Sequence, residues 1–462
     1  MRASKIFAVS MLIALLFTGS ALAAEDDKRV SLGFLYGWTD VNLVDRTNGA
    51  INQVSPTCLD LNNKGELVVT SNLTHTFVDS MHERGIKVTP FLSNHWARNK
   101  AVKALENPEI LANQIVYTVN EYDLDGVNVD LENLTEEHRD ALSNFVIILR
   151  EKLPDDKLLT VSVAANPHGH DTGWQGSYDY KVLGENSDYL LIMAYDEHSQ
   201  GGAPGPIAST VFAEGAIQYA LEYVSKDKIV LGIPLFGRYW KYNAENDSYK
   251  GGKAIVSGAI PGLYEKFSGD NLYNEKVGES RYIFNVDTSV QTGSINGEAL
   301  EDGTYIVWYS SNDSIKDKLF LVNQYDLLGA GVWALGQEKV EVWEYYDNEL
   351  NRLPRNVEQE YVELVQEYSY ETITEDLSPI NAMIRQDQTT ISIDNIQSFS
   401  DVIEDDMQMD DMNYHIVEEA PEDVEYKKEV QSIEKDKKRK LLGKESKKET
   451  KQPHHFQFEK VY

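Results

Sequence analysis

Three polar residues at every second position, Asn128, Asp130 and Glu132, stand in the segment Asp125-Gly126-Val127-Asn128-Val129-Asp130-Leu131-Glu132. On a β-strand alternate side chains share a face, so this row lies on one side and Val127, Val129 and Leu131 on the other. Two adjacent acids on one face repel each other, and one then tends to keep a proton near neutrality. A carboxyl that stays protonated at ordinary pH can act as a general acid, and a second carboxylate beside it can orient the reacting group. Glu132, at the end of the row, is placed to protonate a leaving oxygen, with Asp130 beneath it as partner. The competing reading is a satisfied polar network at a strand end. Acids are rarely buried without a partner, so three polar groups at period two inside a barrel are costly unless they are used.

Such a row needs a strand that ends at the mouth of a closed sheet. From Val30 to about Leu335, short apolar runs alternate with helical patterns, the signature of βα units and a parallel sheet. Eight runs are expected as strands: Leu32 to Tyr36, Thr57 to Leu61, Lys87 to Leu92, Gly126 to Leu131, Leu158 to Ala164, Tyr189 to Ala194, Ile229 to Phe236 and Gly331 to Leu335. After the fourth, Thr135 can cap a helix whose Leu142, Phe145, Val146, Leu149 and Leu153 recur at three-to-four spacing until Pro154 stops it. Before it, Leu111, Ile115, Val119 and Tyr122 form the equivalent stripe. Eight units make a (β/α)8 TIM barrel of the α/β class, with active-site groups at the C-terminal ends of its strands. The stretch 240–304, rich in Gly, Asn and Tyr, is longer than a crossover requires and is expected to be a small α+β insertion between strands seven and eight.

Asp and Glu outnumber Lys and Arg by 75 to 43 in the 462 residues, and the resulting net charge of -32 argues against a nucleic-acid partner. Arg2 and Lys5 precede an apolar run from Ile6 to Phe17 and then Ala21-Leu22-Ala23, which reads as a secretory signal peptide, 1–23, cleaved after Ala23. The run is shorter than the roughly 20 apolar residues of a membrane span. No cysteine stands directly after it, which argues against a lipoprotein, and Cys58, the one cysteine, is expected to be a small buried residue. The barrel is expected over 28–345. Residues 348–462 carry an acidic block around Glu404 to Asp411 and a basic one from Lys435 to Lys451, and are expected to be a largely disordered tail that attaches the protein to a cell wall or spore surface. His168 and His170 lack a third ligand at diagnostic spacing, and His454-His455 is equally unspecific, so no metal or other cofactor is expected.

The central motif resembles that of glycoside hydrolase family 18, the chitinase family, D-G-x-D-x-D-x-E on the fourth barrel strand. Met193-Ala194-Tyr195-Asp196 is similar to the family's M-x-Y-D, and Val332-Trp333-Ala334-Leu335-Gly336 to its eighth-strand segment. Gly232-Ile233-Pro234-Leu235-Phe236-Gly237-Arg238 is similar to its G-x-P-x-x-G-R. Asn128, in Gly126-Val127-Asn128-Val129-Asp130-Leu131-Glu132-Asn133, departs from the usual Asp and resembles the spore-cortex-lytic N-acetylglucosaminidase branch. Tyr195-Asp196-Glu197-His198 and the run Pro204 to Ser209 are similar to that branch too. Its members often carry N-terminal wall-binding repeats, which are not expected here.

The resemblance implies an exported enzyme, acting as a monomer, that cleaves a β-1,4-linked N-acetylglucosamine polymer, peptidoglycan or chitin, by substrate-assisted retention. Glu132 would be the acid and base, Asp130 would stabilise the acetamido group, and Tyr195 would donate to its carbonyl, with Asn128 and Asp125 as further members of the catalytic motif. Trp333 would be a sugar-stacking plate, with Tyr36, Met193, Asp196 and Asn166 completing the pocket. Asn128 can hydrogen-bond Asp130 but cannot take a proton from it, which implies an altered pH profile and not a dead site. The alternatives are a non-hydrolytic chitin- or peptidoglycan-binding protein and a spore-surface structural protein on the same barrel. Retention of Glu132 favours the hydrolase.

Overall fold

The computed structural model describes residues 28–353 apart from 38, 245 and 246. The expected signal segment and nearly all of the expected tail lie outside the described residues.

Eight parallel strands form the barrel: β1 (Val30–Leu35), β2 (Gln53–Leu61), β3 (Phe91–Ser93), β4 (Gly126–Asp130), β5 (Leu158–Ala164), β6 (Tyr189–Met193), β7 (Ile229–Pro234) and, after the insertion, an eighth at Gly329–Trp333. They pair in sequence order, and β1 pairs with both β2 and the eighth strand, so the sheet closes on itself. The third expected run is interrupted: Lys87–Val88 and Phe91–Ser93 are separate short strands on either side of Thr89-Pro90. Proline has no N–H to give to a ladder, which accounts for the break.

The alternation read from the sequence sorts the core into two shells. Val127, Val129 and Leu131 are buried in one apolar cluster with Leu142, Phe145, Val146 and Leu149 of the helix Arg139–Lys152 and with Leu111, Ile115 and Val119 of the helix Pro108–Glu121. Leu32, Phe34, Phe91, Tyr189, Leu191, Met193 and Val230 form a second cluster inside the barrel. Burying that many aliphatic and aromatic side chains, at roughly 1.5–3 kcal/mol each, is the main source of barrel stability. Cys58 is fully buried on β2, and burial pushes its thiol up to about 12, so it is packing and not a reactive group.

Between β7 and the eighth barrel strand lies a five-stranded antiparallel sheet: β8 (Phe236–Asn243), β9 (Ser248–Val256), β10 (Gly269–Asn274), β11 (Glu279–Val286) and β12 (Gly303–Tyr309). The eighth barrel strand is therefore β13. Ile260 and Leu263 of the short helix Ile260–Lys266 share a core with Phe267, Tyr282, Phe284 and Tyr305. The inserted sheet runs from Phe236 to Tyr309, wider than 240–304, because β8 begins two residues after β7 ends. It is tied to the barrel by a fully buried ion pair, Lys318 Nζ to Glu279 at 2.8 Å, and by Trp240 Nε1 donating to the Gly202 carbonyl at 2.9 Å.

The folded unit also continues past the expected end at Tyr345. Tyr346 and Leu350 of the helix Tyr346–Leu350 are fully buried, and the Leu353 carbonyl accepts from Arg29 at 2.8 Å.

Closure depends on a close backbone approach. Gly329 pairs with Val30, and a Cβ at Gly329 would lie 1.9 Å from the Val30 carbonyl oxygen. Gly329→Ala is expected to cost on the order of 2–4 kcal/mol through forced separation of β1 from β13, read as a lowered denaturation midpoint. A wild-type midpoint would mean that the seam adjusts freely.

Candidate active site

The floor of the barrel mouth is aromatic. Trp333, at the end of β13, is ringed by Phe34 at 5.2 Å, Tyr36 at 5.5 Å and Phe91 at 5.9 Å between ring centroids. Phe34 points inward on β1, and Tyr36, two residues on, is 55% exposed at the rim. This gives a broad, partly open apolar plate of the kind on which a sugar ring can stack. Met193 is buried in the same inner cluster, and Tyr195 packs against it.

Tyr195 has room because its neighbours are small. A Cβ on Gly232 of β7 would come within 3.1 Å of the Tyr195 ring. On its other side the ring meets Phe236 edge-on at 6.1 Å. Among the described residues the Tyr195 hydroxyl makes no hydrogen bond, and burial followed by the charges of Asp130, Glu132 and Asp196 holds its proton well above the usual range. It is a fixed donor waiting for an acceptor.

The polar row points into the barrel, as the alternation requires, but it is wired differently from expectation. The Asn128 amide donates to Thr160 Oγ1 at 2.8 Å and accepts from Ser162 Oγ at 2.9 Å, both on β5. Its hydrogen bonds thus go sideways and not up to Asp130, which corrects the pairing expected from sequence. Asp130 is 5% exposed, and its Oδ1 is buried with no partner among the described residues. Burial raises the Asp130 carboxyl to about 7.

Glu132 sits one step higher and is partly open. Burial first, then the charges of Asp130 and Asp196, push its carboxyl well above the ordinary carboxylate range. Among the described residues its carboxyl makes no hydrogen bond. Asp196, held at a positive φ of 61°, lies in a bidentate pair with Arg238 of β8, both contacts at 2.6 Å. The mouth therefore presents two carboxyls with raised proton affinity and a phenol, none of them committed to a partner among the described residues.

Several residues that frame Glu132 escaped the sequence reading. Asn94, fully buried just after β3, accepts from the Glu132 N–H at 2.8 Å and donates to the Glu132 carbonyl at 2.9 Å. Tyr178 donates to the Leu131 carbonyl at 3.1 Å and receives the Trp174 indole N–H at 3.0 Å. Trp174 meets Trp96 edge-on at 5.1 Å, and Trp96 is 51% exposed. Trp96 stands three residues past β3, so the rule that barrel sites gather at strand C-termini was a usable signal for it. Nothing in local sequence announces the Asn94 contact, which spans 38 residues.

Two expected site residues are engaged away from Glu132. Asp125 stands before β4, at the barrel's opposite end, where its carboxylate accepts from the Val88 N–H at 2.7 Å and meets His82 at 2.9 Å. A residue there braces the lower rim and cannot touch a ligand beside Glu132. Asn166 is 1% exposed and closes its own loop, donating to the His170 carbonyl and accepting from the His170 N–H, both at 2.8 Å. Among the described residues no group of three or more His, Cys, Asp or Glu side chains could hold a metal ion.

Comparison with known proteins places this geometry in context. The model for glycosyl hydrolases family 18 matches residues 72–338, more than half of the 462-residue chain. An uncharacterized glycosylase, YvbX, of Bacillus subtilis is 25% identical over 359 residues, 73% of this chain and 96% of that protein. The cortical fragment-lytic enzyme of Bacillus anthracis is 24% identical over 230 residues, and the chain spans about half of that relative, 50% of each being covered. Among solved structures, a chitinase from Chromobacterium violaceum superposes with a TM-score of 0.62 at 22% identity, over 70% of this chain and 99% of that one. The Bacillus cereus spore cortex-lytic enzyme SleL gives 0.60 at 20% identity, over 70% and 75%. These likenesses share the barrel architecture.

The Asp130 environment sets a stability dependence on pH. Its folded value, about 7, lies above the ordinary 3.8, so the folded state binds more protons across that interval. Its contribution is favourable below the unfolded value and is lost as pH rises through about 7. Asp130→Asn should therefore stabilise the protein more at pH ~8 than at pH ~5, by about 2 kcal/mol, in paired denaturant titrations. Equal gains at both would show that Asp130 is better solvated than its burial implies.

Proposed function

Because the chain belongs to glycosyl hydrolases family 18, we propose that it is an exported glycosidase cleaving β-1,4 bonds after N-acetylglucosamine, in peptidoglycan such as spore cortex or in chitin, by substrate-assisted retention. One observation carries this reading. Asp130, Glu132 and Tyr195 are electrostatic neighbours at an aromatic-floored mouth, and their reactive atoms have no partner among the described residues.

The arrangement suits an acetamido sugar stacked on Trp333. Glu132 delivers its proton to the glycosidic oxygen as the C1–O bond breaks, and the substrate's own acetamido oxygen bonds to C1, giving an oxazolinium ion. Asp130 accepts the acetamido N–H, and the charge that develops on that nitrogen offsets the cost of ionising a buried carboxyl. Tyr195 donates to the acetamido oxygen and holds it under C1. The Glu132 carboxylate then takes a proton from water, whose oxygen opens the ring at C1, so configuration is retained and Glu132 is restored as acid.

Support for the glycan class comes from the relatives. A cortical fragment-lytic enzyme and a chitinase are named among them, and both names fit a polymer with N-acetylglucosamine at the bond cleaved. Export follows from the leader read at 1–23, and action at a cell wall or spore envelope from the same polymers. Asn128 belongs to this reading as a brace for the row, and Asp196 as a mouth residue oriented by Arg238.

The decisive experiment incubates the protein with purified cortex peptidoglycan and with chitin oligomers, beside Glu132→Gln. New N-acetylglucosamine reducing ends are expected from wild type only, with turnover falling at least ~1000-fold and binding kept in the variant. Binding without turnover by wild type would support the non-hydrolytic reading. Because Glu132 is raised above the ordinary carboxylate range, its acid form persists toward neutrality. Activity should persist to higher pH than an unshifted glutamate, failing above pH ~4–5, would allow, and fall on the alkaline side as that proton is lost.

A further inference from the structure

We propose that Asn94 and Tyr178, with Trp174 behind Tyr178, are positioning residues that fix the Glu132 carboxyl from its backbone outward. This rests on the reading of Glu132 as proton donor and adds to it how that donor is held.

The peptide units on both sides of the Glu132 Cα are gripped by side chains from other elements. From just after β3, Asn94 brackets the residue, its amide oxygen on the Glu132 N–H at 2.8 Å and its amide nitrogen on the Glu132 carbonyl at 2.9 Å. From the segment after the short helix Gly173–Gly176, Tyr178 holds the Leu131 carbonyl at 3.1 Å. Asn94 is 0% and Tyr178 1% exposed, so these bonds are shielded from water, where a lost partner is not replaced. The next residue is held too, for Arg98 donates to Asn133 Oδ1 at 3.0 Å and Asn133 donates to the Trp96 carbonyl at 2.9 Å.

The carboxyl itself has no hydrogen bond among the described residues. Its place is therefore set by the backbone that carries it, and that backbone by the three bonds above. A catalytic group usually owes its orientation to a donor on its own head group; here the support is one level further back. It leaves both carboxyl oxygens free for the glycosidic oxygen and for water. Trp174 extends the support to the surface, since its N–H feeds the Tyr178 oxygen and its ring packs against half-exposed Trp96. The Tyr178 proton is firmly held by burial and by the Glu132 and Asp130 charges, so the phenol remains a donor to Leu131.

The test uses the full chain labelled with 13C-glutamate, with the Glu132 carboxyl signal assigned as the one lost in Glu132→Gln. Its titration is followed in wild type, Tyr178→Phe, Trp174→Phe and Asn94→Ala, beside kinetics on chitin oligomers. Freed to swing toward water, the carboxyl should titrate lower in Tyr178→Phe, and kcat should fall about tenfold to a hundredfold with KM within about twofold. Trp174→Phe should move both readouts the same way by less. The double variant should match Tyr178→Phe alone, because the two bonds act in series. Asn94→Ala should give the largest shift; should it fail to fold, Tyr178→Phe, which removes one oxygen, decides the matter. Unchanged titration and kcat in folded Tyr178→Phe would overturn the proposal. If wild type hydrolyses nothing, the hydrolase reading fails, while the titration still judges whether these residues place the carboxyl.

Discussion

Two carboxyls stand inside a barrel where, among the described residues, no cation or hydrogen-bond donor meets either of them, and taking them out of water is the cost around which the rest is arranged. An ionised acid in such a place is expensive, so each raises its proton affinity until the neutral form is competitive. That is unfavourable for folding and favourable for acid–base chemistry at ordinary pH. The apolar shell between strands and helices, with Val127, Val129 and Leu131 on the reverse face of the same strand, supplies the stability that lets the acids stay unpartnered.

The interior is divided to serve this. One side is filled by Leu32, Phe34, Phe91, Leu191, Met193 and Val230 beneath Trp333. On the other, Thr160 and Ser162 of β5 engage both ends of the Asn128 amide, and Gln53 donates to Thr89 at 2.7 Å. The Asn128 amide is thus engaged by β5 and is not turned to Asp130 above it. An aspartate at position 128 could accept from both hydroxyls but would place a third carboxylate in the buried row. Asparagine meets the same two neighbours without a charge, which makes the departure at this position a local fit.

Much of this was legible in sequence because it depends on period. Alternation in Gly126 to Glu132 assigned inward and outward faces, and the helical stripes at Leu142 to Leu149 and Leu111 to Val119 marked what covers the outward one. Tyr195 and Trp333 could be placed by two-residue steps from Met193 and Gly331. What periodicity does not carry is the partner of a side chain. Asn166 stands at the end of β5, where a mouth residue belongs, yet it folds back on His170; Asp125 belongs to the motif by spelling, yet it precedes the strand and faces the opposite rim. Asn94 and Tyr178 matter through bonds to backbone atoms dozens of residues away, and a backbone atom leaves no mark on the residue type opposite it.

The inserted sheet contributes charge as well as shape. Its first strand brings Arg238 to Asp196 in a two-point contact and steadies the guanidinium through the Gly252 carbonyl at 2.6 Å. Of the three acids at the mouth, this gives one a cation and leaves Asp130 and Glu132 to repel each other. The same arginine lies over the Phe236 ring at 5.8 Å, and that ring packs on Tyr195. One residue of the insertion therefore both holds the Asp196 carboxylate and lies over the ring that packs on Tyr195. β8 follows β7 after a single intervening residue, so there is no slack between barrel and insertion at that point. A shift of the sheet would move Asp196 and Tyr195 together, which makes the insertion part of the site's electrostatics and not an appendage to it.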